Sequence, residues 1–176
     1  MISRRHVLIG GLAAGVCGLA GLRVVQPVAA QDREIAFYVP ATGERVRATY
    51  WSGGRYLPDG MEAVNRVLRD FETGRTGAID FGLLDRLHAF MHRLQAKDGF
   101  EVVRGLMTDD PARPFAPGSP DALHTLGKAI DLRAPGVALE HLLAEFANFF
   151  DGGVGLYRQR NFVHVDAGPR RVWDAT

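Results

Sequence analysis

Apolar positions along the chain follow two periods, and the places where one gives way to the other mark the elements. Arg33 to Val39 and Arg45 to Trp51 approach the alternation of strands, with Ala41-Thr42-Gly43-Glu44 as the turn between them, so a β-hairpin opens the pattern. Pro58-Asp59-Gly60 then reads as a turn. Met61, Val64, Leu68 and Phe71 follow at helical spacing, and Gly74 and Gly77 end that segment. Asp80 reads as the N-cap of a second helix whose stripe is Phe81, Leu84, Leu87, Met91 and Leu94. Phe100 to Val103 predicts a short strand, and Thr108 to Asp121, with Pro111, Pro114, Pro117 and Pro120, a long irregular loop forming one rim of a cleft. Alternation resumes over Ala129 to Arg133. After Pro135-Gly136 a third helical stripe runs from Val137 or Leu139 through Leu142, Leu143, Phe146 and Phe149. Val154 to Tyr157 and Asn161 to Ala167 then pair as strands, and the tail through Trp173 packs back on the sheet. Strands and helices are interspersed without internal repeat, and an α+β fold is expected.

The first thirty residues differ from all this. Arg4-Arg5 precede Val7-Leu8-Ile9 and a Gly- and Ala-rich apolar run that ends at Val28-Ala29-Ala30, the three parts of an export signal. The paired arginines resemble a twin-arginine signal. The expected partner is therefore the twin-arginine export machinery, with cleavage near Ala30 and a periplasmic product. Arg23 interrupts the apolar run too early for a comfortable span, so residues 31–176 are read as one exported domain with no stable membrane span.

Composition narrows the functional classes. Without Arg4, Arg5 and Arg23 the 21 basic residues become 18 against 20 acidic ones, a balance of −2, and no basic patch argues for nucleic acid. Cys17 is the only cysteine and lies in the leader, so the exported chain has neither a disulfide nor a thiolate metal site. Tyr50, Trp51 and Tyr56 are better read as closing a small core than as a sugar-stacking shelf. His88 and His92 lie four apart on the second helix without an obvious third ligand and read as surface histidines, as does His141.

Two imidazoles and a carboxylate remain. In Phe162 to Asp166 the period of two puts Phe162, His164 and Asp166 on one face and the two valines on the other, and in Ala129 to Arg133 it turns Asp131 away from Ile130 and Leu132. Gly127 allows a sharp bend between His124 and Asp131. His124, Asp131 and His164 thus form a plausible three-ligand zinc set, with a fourth position open to water or substrate. Asp166 shares the His164 face and is the first candidate for a general base or a support of that histidine.

The pattern His124-x-x-Gly127-x-Ala129-x-Asp131, followed by Asn161-Phe162-Val163-His164-Val165-Asp166-Ala167-Gly168-Pro169, resembles the zinc peptidases that include the D-Ala-D-Ala carboxypeptidases and dipeptidases. With Gly152-Gly153-Val154-Gly155-Leu156-Tyr157 it is most similar to their periplasmic murein endopeptidase K branch. The resemblance implies a small, mostly antiparallel sheet with helices packed against it and a zinc cleft on the sheet, as in the hedgehog and D-Ala-D-Ala peptidase-like fold. It also implies hydrolysis of peptidoglycan peptide cross-links. Where several such enzymes carry a base Glu three residues before the last histidine, this chain has Asn161, as the resembled branch also lacks that Glu. Where they carry an upstream Ser-Gly-Tyr-Arg, it has Val103-Arg104-Gly105-Leu106-Met107-Thr108. Arg104 and Arg113 are the arginines expected to reach substrate instead. The altered segment motivates an alternative, a zinc-containing wall-binding protein without turnover.

Overall fold

The computed structural model describes residues 31–109 and 114–175, so the leader and Arg113 lie outside the described residues. Strands β1 (Arg33–Val39) and β2 (Glu44–Ser52) form the expected antiparallel hairpin, and the short β3 (Arg55–Tyr56) extends it. Helix α1 (Pro58–Val67) follows at once. Pro58-Asp59-Gly60, read as a turn, is instead its first turn: proline there forfeits an N–H that would have had no intrahelical partner. Gly60 lets the helix lie against β2, since a Cβ would stand 2.8 Å from the Tyr50 Cα.

Asp80 caps α2 (Phe81–Arg93) as expected, accepting the Leu83 N–H at 2.9 Å. The buried face is Leu83, Leu84, Leu87, Phe90 and Met91, one position round from the predicted stripe. Phe81 stays half-exposed and stacks on Tyr56, whereas Phe90 stacks on Phe146 at 4.4 Å and joins the core. The aromatics near the strand ends are indeed structural: Tyr50 is fully buried, and Tyr50 and Tyr56 both donate to Asp85, at 3.0 and 2.8 Å.

Strand β4 (Phe100–Arg104) leads into α3 (Pro120–Thr125), which begins inside the proline-rich stretch. The Ser119 hydroxyl accepts the Ala122 N–H, and Pro120 again opens the helix. The helix closes with a paired-carbonyl cap: Lys128 N–H bonds Leu123 C=O at 2.8 Å, Gly127 N–H bonds His124 C=O at 3.1 Å, and Gly127 has φ +65°. Strands β5 (Ala129–Arg133), β6 (Gly153–Tyr157), β7 (Phe162–Asp166) and β8 (Arg171–Ala175) surround α4 (Leu139–Phe149) in sequence. Phe150, just past α4, takes the core place expected for Phe149.

The eight strands make one sheet in the order β3-β2-β1-β4-β5-β7-β6-β8, antiparallel except for β1–β4 and β6–β8. The fold is thus α+β with a mostly antiparallel sheet, as the sequence implies. Ile130, Leu132, Val163 and Val165 join Leu142 and Phe146 of α4 in the core. Asp131, His164 and Asp166 alternate with them and are turned to the other face of the sheet.

A buried carboxylate ties the segment after β4 to the chain beyond α1. Asp70 is 7% exposed and accepts N–H groups from Thr108 at 2.7 Å, Glu72 at 2.8 Å and Thr73 at 3.1 Å. Burial opposes its ionisation, but these bonds outweigh burial and lower its pKa from 3.8 to about 2.

Two outcomes follow from these joints. A Cβ at Gly127 would overlap the Ala78 carbonyl in a backbone conformation that L-residues avoid, so Gly127→Ala lowers the unfolding free energy by about 1–3 kcal/mol in urea titration. For Asp70 the depressed folded pKa means that its contribution is complete above 3.8 and is lost as the pH falls toward 2. Across that window the urea midpoint of the unaltered protein falls more steeply than that of Asp70→Asn, and parallel curves would remove Asp70 from this role.

Candidate metal centre

Each member of the triad arrives from a different kind of element. His124 sits in the last turn of α3, Asp131 in the middle of β5 and His164 directly opposite it in β7. All three are at most 2% exposed. His124 Nε2 lies 3.2 Å from Asp131 Oδ1 and 3.2 Å from His164 Nδ1, and His164 Nδ1 lies 2.8 Å from the same Asp131 oxygen.

The far side of each imidazole decides what its near side presents. His124 Nδ1 lies 2.7 Å from the Gly105 carbonyl, which can only accept, so Nδ1 carries a proton and Nε2 is left with its lone pair in the neutral ring. His164 Nε2 donates to Asp166 Oδ2 at 3.1 Å, leaving the lone pair on Nδ1. Two lone pairs and a carboxylate oxygen therefore converge on one small region. At zinc's usual bond lengths, tetrahedral ligand atoms lie roughly 3.3 Å apart, close to the spacings here, so the donor set fits zinc. Among the described residues this is the one group of three or more His, Cys, Asp or Glu with ligand atoms so placed.

The electrostatics agree with a site for a cation. Burial raises the pKa of Asp131, but the close approach of His124 and His164 prevails and holds it well below the usual carboxylate range. Burial lowers that of His164, but Asp131 and Asp166 prevail and raise it, so the carboxylates on either side of the ring favour positive charge at this position.

Asp166 supports this arrangement from behind and has no exposed surface. Its Oδ1 accepts the N–H groups of Gly168 at 2.7 Å and Gly153 at 3.2 Å, and Arg171 donates to both oxygens, at 3.2 and 2.9 Å. Burial works against its ionisation, yet His164, Gly168 and Arg171 together lower its pKa. Arg171 was not among the residues picked out from the sequence. Its only signal there is its place two residues before Trp173, whose ring lies 5.5 Å from that of His164.

Arg104 does reach the triad. Val102 pairs with Leu132 and Arg104 with Asp131, so Val103 is an extra residue in β4. This bulge turns Arg104 toward Asp131, with Nε 3.8 Å from Oδ2, while its Nη1 lies 3.4 Å from Asp121. Two cavities of about 460 and 200 Å³ open along Leu106, Met107 and Thr108, and Arg104 lines the smaller. Asn161 is exposed in the turn before β7 with φ +55°, a conformation that asparagine tolerates better than glutamate. His88 donates Nδ1–H to the Glu34 carbonyl at 2.8 Å, and His92 and His141 are exposed, away from the triad.

A family model described as peptidoglycan L,D-endopeptidase MepK matches residues 27–173. Peptidoglycan L,D-endopeptidase MepK of Escherichia coli (strain K12) is 28% identical over 97% of this chain and 96% of its own length. The probable peptidoglycan L,D-endopeptidase MepK of Haemophilus influenzae is also 28% identical, over 97% of this chain and 94% of its own. No solved structure matches. With nearly the whole folded region matched, the chain belongs to the peptidoglycan L,D-endopeptidase MepK family.

Proposed function

We propose that this protein is an exported zinc-dependent endopeptidase that hydrolyses peptide cross-links of peptidoglycan. The observation that carries the reading is the pair of imidazoles whose outer N–H groups are bound to Gly105 and Asp166, so that both inner lone pairs face Asp131 Oδ1. Family membership supplies the substrate class, since the relatives are named for L,D bonds in peptidoglycan.

His124, Asp131 and His164 are the zinc ligands in this reading. Zinc held there supplies Lewis acidity toward a scissile carbonyl. Asp166 takes the second of the roles considered for it: with both oxygens already engaged by His164, Arg171 and two backbone N–H groups, it fixes the His164 ring. Arg104 stands between Asp131 and the smaller cavity, where a guanidinium can hold a substrate carboxylate or a developing oxyanion. Arg113 belongs to the same substrate role by its position in the sequence shortly before Pro120. Residues 1–30 direct the chain through the twin-arginine machinery to the periplasm, and cleavage near Ala30 frees residues 31–176 as the peptidase-like domain.

Purified protein given zinc and L,D-cross-linked muropeptide dimers releases monomers, read by chromatography. His124→Ala, Asp131→Ala and His164→Ala each lose stoichiometric zinc and more than about a hundredfold in turnover, a larger effect than loss of a supporting residue. Full zinc in all three folded variants would sink the metal assignment. Dimers bound but left intact would favour the alternative, a zinc-containing wall-binding protein, for which the altered Arg104–Thr108 segment is the motive. Arg104→Met keeps its zinc and loses about a hundredfold in kcat/KM, and an unchanged value would remove Arg104 from the site.

A further inference from the structure

The C-terminal strand reaches the candidate metal centre across two glycines. β8 pairs with β6 so that Arg171 stands opposite Gly153 and Trp173 opposite Gly155, while β6 sets Gly153 opposite Asp166 and Gly155 opposite His164. Two parallel rows thus cross three strands: Asp166, Gly153, Arg171 and His164, Gly155, Trp173. A side chain at the middle position would separate the ends of each row. A Cβ on Gly153 would lie 2.6 Å from the Arg171 guanidinium and overlap the Asp166 carboxylate, and one on Gly155 would overlap the Trp173 ring. Neither glycine has a positive φ, so space and not backbone conformation calls for glycine at both positions.

Arg171 fills the first gap with two bonds to Asp166, Nη1 to Oδ1 at 3.2 Å and Nη2 to Oδ2 at 2.9 Å. Its guanidinium carbon lies 5.0 Å from the Trp173 ring, and Nη1 also donates to the Pro169 carbonyl at 3.1 Å. Planar two-point pairing fixes the orientation of a carboxylate, which a single ammonium does not do. The oxygen that takes the shorter of these bonds, Oδ2, is also the one that receives His164 Nε2–H.

We propose that Arg171 is a positioning residue for the metal centre: by locking Asp166 it holds the His164 ring with Nδ1 aimed at Asp131 and His124. The inference rests on the zinc reading above for its consequence, though the locking itself is present without metal. Two measurements separate the two. Zinc affinity is read by competition with a chelating indicator, and solvent-exchange protection of the His164 Nε2 proton is read by NMR on the zinc-free protein. Arg171→Gln weakens zinc binding by about ten- to a hundredfold and loses the protected proton. Gly153→Ala does the same while leaving every charge in place, and Arg171→Lys recovers part of both losses. Circular dichroism confirms that each variant is folded, and if Arg171→Gln is not, Gly153→Ala carries the test. Unaltered zinc affinity and proton protection in the folded variants overturn the proposal. If the unaltered protein takes up no zinc but Arg171→Gln still loses the protected proton, the zinc reading fails and the positioning role stands.

Discussion

Three electron-rich atoms held within 3.2 Å of one another, almost sealed from water, are the constraint to which the middle of the sheet answers. Left to themselves, two imidazole lone pairs and a carboxylate oxygen repel, and burial removes the water that would screen them. Such a cluster persists only with a cation or a shared proton at its centre, and only if the groups cannot rotate away. The raised pKa of His164 reflects the pull of the flanking carboxylates toward positive charge at the ring. The anchors at Gly105 and Asp166 meet the second requirement by using the outer nitrogen of each ring.

The sheet works here as a ruled surface. Register sets Arg104 beside Asp131, Asp131 beside His164, His164 beside Gly155 and Gly155 beside Trp173, so one lateral row carries the centre from an arginine to an indole. The neighbouring row runs from Ala129 through Asp166 and Gly153 to Arg171. Side chains in β-strands stand roughly perpendicular to the sheet, and neighbouring strands lie about 4.8 Å apart, a distance that long side chains bridge only where nothing stands between. Gly153 and Gly155 provide that clearance, and the bulge at Val103 brings Arg104 into the row where a regular ladder would have placed Val103.

What the sequence made legible was whatever depends on neighbours a few residues apart. The period of two in β5 and β7 is local, so it identified the faces of Asp131, His164 and Asp166 and the valines behind them. The Asp80 cap and the bend at Gly127 are likewise local and were legible. The prolines misled because the residue has two meanings: Pro58 and Pro120 open helices, yet from sequence they resemble turn and loop. The α2 and α4 faces shifted because Phe90, Phe146 and Phe150 meet each other across the fold, and a single-helix stripe does not register a partner helix. Arg171, the Gly105 carbonyl and the Val103 bulge depend on strand order and pairing, which no local spacing contains.

The same geometry bears on the division of labour among the charged groups. Strand periodicity rightly placed Asp166 on the face of His164, but it could not say on which side of the imidazole the carboxylate would lie. It lies behind the ring, against Arg171, just as Asp131 has Arg104 within reach. Both carboxylates of the centre, Asp131 and Asp166, are thus matched by an arginine, and with the imidazoles neutral these charges sum close to zero. A divalent ion, if held there as proposed, would make that balance positive in a region where low polarisability makes the field strong. With zinc held as proposed, the partly exposed Arg104 beside Asp131 would be suited to meet negative charge on a substrate, whether a peptide carboxylate or the oxyanion that develops when a peptide bond is attacked.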